Sequence, residues 1–364
     1  MKTAIIHYWL VNMRGGEKML EALLEIYPDA DIYTHVYKPA AVSSLIKNRR
    51  VFTSRINRLP FSKKLYPLYM PLMPDALMDF DLNDYDLIIS SEAGPAKGVV
   101  PNPNAYHICY CHSPMRYLWD MYHEYFRDTN FIVKFFMKRL IPSLRVWDIT
   151  SANMVDRFIT NSAFVAKRIL RIYNRIAQVV YGPADIEKFI TKERNPSDFY
   201  LFFGQLADYK RADIAIEACI KSGRKLIVAG AGAKKKEINK YKKSSLITFM
   251  GRVSDEQALD LYSKAKALLY PGIEDLGLIP IEANAAGCPV IAYRDGGALE
   301  TVKENITGIF FNKQTPDSLI EAMDNFEKDF IIHNREEFNE HVQQFSKAAF
   351  IERIKNVISE KKRI

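Results

Sequence analysis

The stretch Pro271-Gly-Ile-Glu-Asp-Leu-Gly-Leu-Ile-Pro-Ile-Glu282 decides the fold predicted for the second half of this chain. The apolar run at residues 267–270 before it predicts a short buried strand of a parallel sheet. Two glycines then interrupt the pattern. A helix is expected to begin near Leu278, with a proline in its first turn, where a missing N–H group costs nothing. The pattern therefore places Glu274 in a strand-to-helix loop and Glu282 inside the helix.

This loop offers backbone N–H groups and the positive end of a helix dipole, which together suit a phosphate group or sugar hydroxyl groups. A pair of glutamates at this spacing is, taken alone, more often an ordinary turn with two solvated side chains. The neighbouring residues favour a ligand site. The stretch resembles the donor loop of the retaining GT-B glycosyltransferases of family 4, which usually has the motif P-x-x-E-x-[FL]-G-L-x-x-x-E-A. In this chain the motif is complete from Pro271 to Ala283. The resemblance implies an α/β chain with two Rossmann-like domains that face a central cleft.

The composition is that of a globular protein with more than one domain. The chain has 364 residues, more than a single hydrophobic core usually supports. Its hydrophobic content of 48% and charged content of 26% exclude a disordered protein. No run of about 18 apolar residues occurs, so no membrane-spanning helix is predicted. The first residues predict a strand rather than a secretory signal.

Strand and helix patterns alternate in both halves, as expected for parallel sheets with helices on both faces. The domain boundary is predicted where charged residues, Asn and Pro cluster, near residues 186–198. With the resemblance, this implies an acceptor-binding domain at 1–185, a nucleotide-sugar-binding domain at 186–338, and a C-terminal helix at 339–364 that crosses back to the first domain. The predicted strands are 4–8, 31–36, 87–90, 106–110, 157–160, 178–181, 200–203, 225–229, 246–250, 267–270, 290–293 and 308–311. The predicted helices are 17–26, 163–172, 212–221, 234–243, 255–264, 278–286, 298–303 and 317–330.

The net charge of +8 is carried mainly by the first half of the chain, which predicts an anionic partner there. A nucleic acid, a phospholipid surface or a phosphorylated acceptor would each be an anionic partner of this kind. Residues 65–73 and 131–141 combine aromatic or Met-rich apolar residues with neighbouring lysines and arginines, a composition suited to a membrane surface. Each segment also fits a core-facing helix with a solvated basic face. No nucleic-acid-binding module is recognised, so an anionic membrane is favoured over nucleic acid.

Two motifs in the first half extend the resemblance. The loop after the first predicted strand contains Gly15 and Gly16, and a later strand is followed by His112 within C-H-S-P-M-R-Y-L-W-D. With H-Y-W-L-V-x-M-R-G-G-E-K near the start, this pattern is similar to the WbaZ-like mannosyltransferase branch of family 4. The resemblance implies that the glycine loop faces the donor diphosphate and the acceptor. It also implies that His112 lies beside the transferred sugar, although a lone histidine there would more often be structural.

The second domain opens with a strand and a glycine, followed by Gln205, Lys210 and Arg211. A lysine at this position can neutralise a diphosphate leaving group as a point charge. Family members usually have an arginine where this chain has Gln205, which puts a two-cation clamp in doubt. Arg211 can supply the second charge, or Gln205 can donate a neutral hydrogen bond.

The resemblance also implies roles for residues further along the second domain. The glycine pair at 296–297 fits either a phosphate contact or a plain turn at a helix start. The implied donor contacts are Arg252 and Val253 against the nucleotide base, Gly277 and Leu278 in the donor loop, Glu274 on the sugar hydroxyl groups, and Glu282 on the ribose.

No residue in these motifs is a convincing covalent nucleophile. The resemblance implies a front-face displacement, in which the leaving phosphate helps to deprotonate the acceptor. Asp29 and Asp31, and likewise Asp79 and Asp81, have the metal-binding spacing of a different glycosyltransferase fold. We expect these four residues to be surface carboxylates, and we predict no metal and no cofactor beyond the nucleotide-sugar substrate.

The sequence therefore predicts a cytoplasmic, peripherally membrane-associated retaining mannosyltransferase. It would move mannose from GDP-mannose onto a lipid-linked glycan acceptor in the biosynthesis of a surface polysaccharide such as O-antigen. A family 4 transferase that uses a UDP-sugar is the first alternative. A GT-B protein that binds a sugar nucleotide without transferring the sugar is the second, and its only support is Gln205.

Overall fold

The computed structural model describes residues 1–127, 130–232, 240–241, 243–331 and 335–360. The chain forms two compact units, called unit 1 and unit 2 below. Unit 1 comprises Met1–Gly182 together with the chain from Ile351, and unit 2 comprises Pro183–Phe350. The units therefore divide after Gly182 and after Phe350, whereas composition placed the boundaries after residues 185 and 338. The binding roles assigned to the two domains stay predictions.

Each unit is built on one parallel sheet. The strands are β1 (Thr3–His7), β2 (Asp31–Thr34), β3 (Val51–Thr53), β4 (Leu87–Glu92), β5 (Tyr106–Cys111), β6 (Arg157–Thr160), β7 (Ala177–Val179), β8 (Tyr200–Phe203), β9 (Leu226–Ala229), β10 (Ile247–Gly251), β11 (Leu268–Tyr270), β12 (Val290–Tyr293) and β13 (Gly308–Phe311). Unit 1 has seven strands in the order β3-β2-β1-β4-β5-β6-β7, and unit 2 has six in the order β10-β9-β8-β11-β12-β13. The paired strands run parallel.

Helices connect the strands. The α-helices are α1 (Gly15–Ile26), α2 (Ser44–Lys47), α3 (Ser62–Leu65), α4 (Met73–Ala76), α5 (Tyr122–Phe126), α6 (Phe131–Ser151), α7 (Ala163–Tyr173), α8 (Ala212–Ser222), α9 (Asp255–Lys264), α10 (Leu278–Ala285), α11 (Ala298–Thr301), α12 (Pro316–Asp329), α13 (Arg335–Gln343) and α14 (Lys347–Ser359). Short 3-10 helices lie at Pro39–Ala41, Arg55–Arg58, Tyr66–Leu72, Leu77–Asp79, Ala152–Met154, Ile186–Lys188 and Asp208–Lys210. None of the described helices is long and apolar enough to cross a membrane.

The predicted elements on described residues agree with the structure in type, but one strand and the short helices α2, α3, α4 and α5 were not predicted. All twelve predicted strands are present, and their ends differ by at most two residues. The sequence analysis missed β3, a three-residue strand at the edge of the first sheet. The predicted helix at residues 234–243 falls largely outside the described residues. The predicted start of α10 at Leu278 is confirmed.

Local capping chemistry explains where several helices begin. The Ser254 hydroxyl accepts the Gln257 N–H ahead of α9, and the Gln257 side chain accepts the Ser254 N–H in return. The Thr315 hydroxyl accepts the Ser318 N–H ahead of α12, whose first residue is Pro316. Side chains of this kind satisfy the N–H groups that a first helical turn leaves unpaired.

The strand order creates one special position in each sheet. β1 pairs with both β2 and β4, and β8 pairs with both β9 and β11, so the order reverses between β1 and β4 and between β8 and β11. Ligands of open parallel sheets bind outside the carboxyl ends of the strands at such a switch point. In unit 1 this position carries His7 and Ser91, and in unit 2 it carries Gly204 and the loop that contains Glu274.

A buried ionic network fixes the end of β4 in unit 1. Lys97 Nζ lies 3.4 Å from Glu92 Oε1 and also contacts Asp148 Oδ1, and all three side chains are fully buried. Trp119 Nε1–H and the Tyr173 hydroxyl donate to Asp148, at 2.7 Å and 3.0 Å. Burial alone would lower the pKa of Lys97, but the carboxylates of Asp148 and Glu92 outweigh it and raise the pKa. The network ties the chain after β4 to α6 and α7.

Replacing Lys97 by Met should destabilise unit 1 by about 3–5 kcal/mol, because two buried carboxylates would lose their cation. The three tryptophans of the chain, Trp9, Trp119 and Trp147, all lie in unit 1, so urea unfolding followed by tryptophan fluorescence reports on that unit. Lys2→Met is the control, since it removes an exposed pair with Asp84 and a contact with the Tyr85 ring, and should change the stability by about 1 kcal/mol or less. Equal stability of the two variants would contradict the assigned role of Lys97.

Candidate active site

In unit 2, two charged side chains meet at the switch point between β8 and β11. Glu274 lies in the loop that joins β11 to α10, and Lys210 ends the 3-10 turn that follows β8. Lys210 Nζ lies 2.7 Å from Glu274 Oε1, and the two side chains are 10% and 18% exposed. The residue predicted to contact the donor diphosphate and the residue predicted to contact the donor sugar are therefore ion-paired with each other.

A glycine pair supports the Glu274 loop from the side. The Gly297 N–H donates to the Glu274 carbonyl oxygen at 2.8 Å, and a Cβ at Gly297 would lie 2.4 Å from Leu276 Cα. The Gly296 N–H donates to Asp295 Oδ1 at 2.7 Å. Both N–H groups thus have partners within the protein, and the phosphate contact of this pair stays a prediction. A glycine is needed at position 297 because its backbone and that of Leu276 approach too closely for any side chain.

Helix α10 carries the second glutamate of the motif. Gly277 precedes the helix with a φ of 85°, a left-handed conformation that favours glycine. Glu282 lies in the second turn and is half-buried. Beneath it the Tyr262 phenol is fully buried, and burial together with the charge of Glu282 raises its pKa. The phenol therefore stays neutral next to the Glu282 carboxylate.

Gln205 and Arg211, the two residues considered as a second partner of the diphosphate besides Lys210, lie in different surroundings. Gln205 is exposed on the loop after β8. Arg211 donates to Asp213 through Nε at 3.0 Å and Nη2 at 2.9 Å, and to Gln314 through Nη1 at 3.1 Å. The Arg211 guanidinium is thus held at the start of α8, whereas Lys210 points to Glu274. Of these three residues, only Lys210 is brought to the Glu274 loop.

The predicted base-binding residues follow β10. Arg252 is exposed and Val253 is half-buried, and the capped start of α9 comes directly after them. Leu278 is half-buried as the first residue of α10. These three residues therefore follow the carboxyl ends of β10 and β11, the edge at which parallel sheets bind nucleotides.

In unit 1, a separate polar cluster surrounds His112. His112 Nε2 lies 3.0 Å from Ser91 Oγ, and Ser91 Oγ lies 2.9 Å from His7 Nδ1. Burial, with a smaller contribution from His7, lowers the pKa of His112 to about 3, so the ring is neutral at physiological pH. Gly15 and Gly16 form the start of α1, with Gly15 exposed and Gly16 half-buried.

Sequence reasoning missed the residues behind His112. His7, Ser91 and Glu17 are at most 1% exposed, although all three are polar. Polar residues at the ends of otherwise apolar strands were the available signal, since His7 ends β1 and Ser91 lies near the end of β4. The pairing of these strands, which places His7 opposite Ser91, could not be deduced from periodicity.

Three of the four aspartates of the Asp-x-Asp pairs, Asp29, Asp79 and Asp81, are exposed as predicted, and the prediction is wrong for Asp31. Asp31 is buried rather than exposed, because it pairs with Arg50 at 2.7 Å and accepts the Tyr85 hydroxyl at 2.6 Å. Asp79 is bound by the Arg55 guanidinium, with Nη2 at 2.8 Å from Oδ1. Within the part of the chain that the structure describes, no three His, Cys, Asp or Glu side chains are grouped so that they could hold a metal ion.

Comparison with known proteins finds a family that the second half of the chain resembles. Residues 184–359 match the family "Glycosyl transferases group 1". Over this segment the chain is similar to the group 1 glycosyltransferases. The segment contains Gln205, Lys210, Glu274 and Glu282, whereas His112 and the Gly15-Gly16 loop lie outside it.

Two of the curated relatives carry mannosyltransferase names. The chain is 26% identical to human alpha-1,3/1,6-mannosyltransferase ALG2 over 60% of this chain and 58% of that protein. It is 30% identical to the GDP-mannose-dependent alpha-(1-6)-phosphatidylinositol monomannoside mannosyltransferase of Mycobacterium tuberculosis, over 28% of this chain and 29% of that protein. The chain spans no more than 58% of the length of the first curated relatives that it matches.

The solved structures establish the fold. The crystal structure of Anabaena Alr3699/HepE in complex with UDP and glucose matches with a TM-score of 0.70 and 17% identity, over 99% of this chain and 100% of that chain. Together with the two parallel Rossmann-like sheets, this identifies the α/β fold as that of GT-B glycosyltransferases. The predicted fold class is confirmed.

Replacing Gly297 by Ala should weaken nucleotide binding about tenfold, equivalent to about 1.4 kcal/mol, because the new Cβ would push Leu276 and the Glu274 loop out of place. Isothermal titration with GDP and with UDP measures the effect. Gly182→Ala is the control, since the nearest heavy atom to its Cβ would be Tyr110 Oη at 3.5 Å. Unchanged nucleotide affinity in the Gly297 variant would contradict the assigned role of this loop.

Proposed function

We propose that this chain is a retaining glycosyltransferase that moves a hexose from a nucleotide-sugar donor to a glycan acceptor. The observation that carries the proposal is the Lys210–Glu274 pair at the switch point of unit 2, within the segment that matches the group 1 glycosyltransferases. Glycosyl transfer needs a cation for the leaving diphosphate and an acceptor for sugar hydroxyl groups, and this pair supplies both.

The reaction breaks the bond between the anomeric carbon and the diphosphate oxygen and forms a bond to an acceptor hydroxyl oxygen. Negative charge grows on the leaving diphosphate, where Lys210 stabilises it, helped by backbone N–H groups at the start of α10. The departing phosphate takes the proton of the acceptor hydroxyl in a front-face displacement. Glu274, released from Lys210 by the diphosphate, accepts hydrogen bonds from the sugar hydroxyl groups.

The other predicted residues recognise the rest of the donor and the acceptor. Glu282 holds the ribose hydroxyl groups, with the neutral Tyr262 phenol beneath it limiting where the carboxylate can point. Arg252 and Val253 contact the base. In unit 1, His112 contacts the sugar, and the loop of Gly15 and Gly16 contacts the phosphate or the acceptor. No metal and no further cofactor is required in this proposal.

GDP-mannose is the favoured donor. Two relatives carry mannosyltransferase names, and the name of one specifies GDP-mannose. The motifs around His112 are similar to the WbaZ-like mannosyltransferase branch, which supports mannose and a role in surface polysaccharide biosynthesis.

A UDP-sugar is the alternative donor, favoured by the structural neighbour in complex with UDP and glucose. A sugar-nucleotide-binding protein without transfer activity is the second alternative, and the exposed Gln205 is its only support.

The acceptor is proposed to be a lipid-linked glycan at the cytoplasmic face of a membrane. Helix α6 buries Ile141 and Leu144 but exposes the phenylalanines near its start. Phe131 is 78% exposed and Phe135 52%, and Val146 and Ile149 continue the same face at helical spacing. The alternative that residues 131–141 form a core-facing helix is therefore wrong for Phe131 and Phe135, which face away from the core.

The charges on α6 indicate which surface would cover this face. Lys134, Lys138 and Arg139 are exposed on both sides of the apolar stripe, and the Arg139 guanidinium lies 4.2 Å from the Phe135 ring centroid. Aromatic side chains next to cations suit the boundary between anionic headgroups and acyl chains. We therefore propose that α6 lies on an anionic lipid surface.

Purified protein should slowly release GDP from GDP-mannose in a panel of GDP- and UDP-sugars. Glu274→Gln and Lys210→Met should each lower this turnover by about 100-fold or more, because each removes a group that acts on the transition state. Lys225→Met is the matched control in unit 2, since it removes only an exposed pair with Asp198.

Other results would change specific parts of the proposal. Turnover of a UDP-sugar would keep the reaction and replace the mannose assignment. Nucleotide binding without turnover, even with lipid-linked glycan acceptors present, would favour the inactive alternative. Absence of both binding and turnover would refute the proposal.

The membrane proposal predicts co-sedimentation with vesicles that contain anionic phospholipid, weakening as salt is raised. Phe131→Ser combined with Phe135→Ser should abolish most of the binding. Ile176→Ser is the control, because Ile176 is 86% exposed in unit 1 but lies outside α6. Equal loss of binding in both variants, or no binding by the unmodified protein, would refute α6 as the lipid-binding surface.

A further inference from the structure

The half-buried ring of His112 is one end of a line of buried polar side chains in unit 1. Its Nε2 contacts Ser91 Oγ at 3.0 Å, and the same oxygen contacts His7 Nδ1 at 2.9 Å. The other nitrogen of that second ring, His7 Nε2, lies 3.9 Å from Glu17 Oε1. His7, Ser91 and Glu17 are all buried, so bulk solvent does not reach them.

The serine couples the two rings. A hydroxyl group has a single proton to donate and two lone pairs that accept. If Ser91 donates to His7 Nδ1, then His112 Nε2 must carry a proton to make its own hydrogen bond to Ser91. If Ser91 donates to His112 Nε2 instead, His7 Nδ1 must carry the proton. The tautomers of the two histidines are therefore linked through a single hydroxyl group.

Glu17 decides between these arrangements. Its Oε2 accepts the Arg14 N–H at 2.8 Å, and its Oε1 faces His7 Nε2, which has no other hydrogen-bond partner. A buried carboxylate attracts a ring N–H and repels a ring lone pair at this distance. A His7 ring with a single proton thus carries it on Nε2 and presents the lone pair of Nδ1 to Ser91. Ser91 then donates to His7 and accepts from His112 Nε2–H.

We propose that Glu17, His7 and Ser91 are positioning residues that hold neutral His112 in its Nε2–H tautomer and leave Nδ1 as a hydrogen-bond acceptor. An acceptor at this position binds a hydroxyl group and disfavours a phosphate or ether oxygen, which cannot donate. The choice of a sugar hydroxyl as ligand rests on the proposed function, whereas the tautomer itself does not.

The tautomer is measured directly by two-bond ¹H–¹⁵N correlation spectra of the full chain with ¹⁵N-labelled histidine, without any ligand. The chain contains seven histidines, and His112→Gln assigns the signals of interest. We expect a single Nε2–H form of His112. Ser91→Ala should convert it to a mixture of tautomers, and Glu17→Gln should change the tautomer populations of both His7 and His112. The glutamine keeps an amide oxygen that can accept the Arg14 N–H, so the start of α1 is preserved.

Ser90→Ala is the matched control. Ser90 lies beside Ser91 on β4, and its hydroxyl contacts His107 Nε2 at 2.9 Å, so this variant should change the signals of His107 and leave those of His112 unchanged. A protonated Nδ1 on His112 in the unmodified protein would overturn the proposal, as would His112 signals that Glu17→Gln leaves unaltered. If Ser91→Ala does not fold, the Glu17→Gln spectra decide. Since these spectra need no substrate, their outcome is independent of whether the chain transfers a sugar.

Discussion

Parallel pairing at the two switch points is the constraint on which both candidate clusters depend. β1 lies against β4 in one sheet and β8 lies against β11 in the other, so the carboxyl ends of these strands reach the same edge. The pairing brings His7 to Ser91 in unit 1, and Lys210 to Glu274 in unit 2, across long sequence separations. None of these contacts is local, so a change in strand register within either sheet would remove the cluster of that unit.

The end of β4 links the stability of unit 1 to its polar cluster. Neighbouring residues of a strand face opposite sides of the sheet, so Ser91 turns towards the two histidines while Glu92 turns to the buried network with Lys97 and Asp148. A buried carboxylate without a cation would be very costly, so the network is held firmly once it forms. Its rigidity holds the Ser91 hydroxyl in place, one residue away, and this hydroxyl must satisfy two rings simultaneously.

The sequence was most informative where the signal was local. Apolar runs bounded by glycine and proline predicted the strands, and the glycine before Leu278 predicted the start of α10. Strand β3 was missed because three half-exposed residues at a sheet edge carry too little apolar pattern. The burial of Asp31 and the line from Glu17 to His112 were also missed, since each depends on which side chains the tertiary structure brings together.

The Lys210–Glu274 pair has a consequence for what unit 2 can bind. Its two charges cancel locally, so an anion is not attracted by a net positive charge from this pair, and the backbone N–H groups at the start of α10 must contribute. A diphosphate alone would bind Lys210 but leave Glu274, whose side chain is mostly buried, without its cation. A complete sugar nucleotide supplies a diphosphate for Lys210 and hydroxyl groups for Glu274 together. Under the proposed function, the ion pair therefore favours the intact donor over the released nucleotide, which aids departure of the product after transfer.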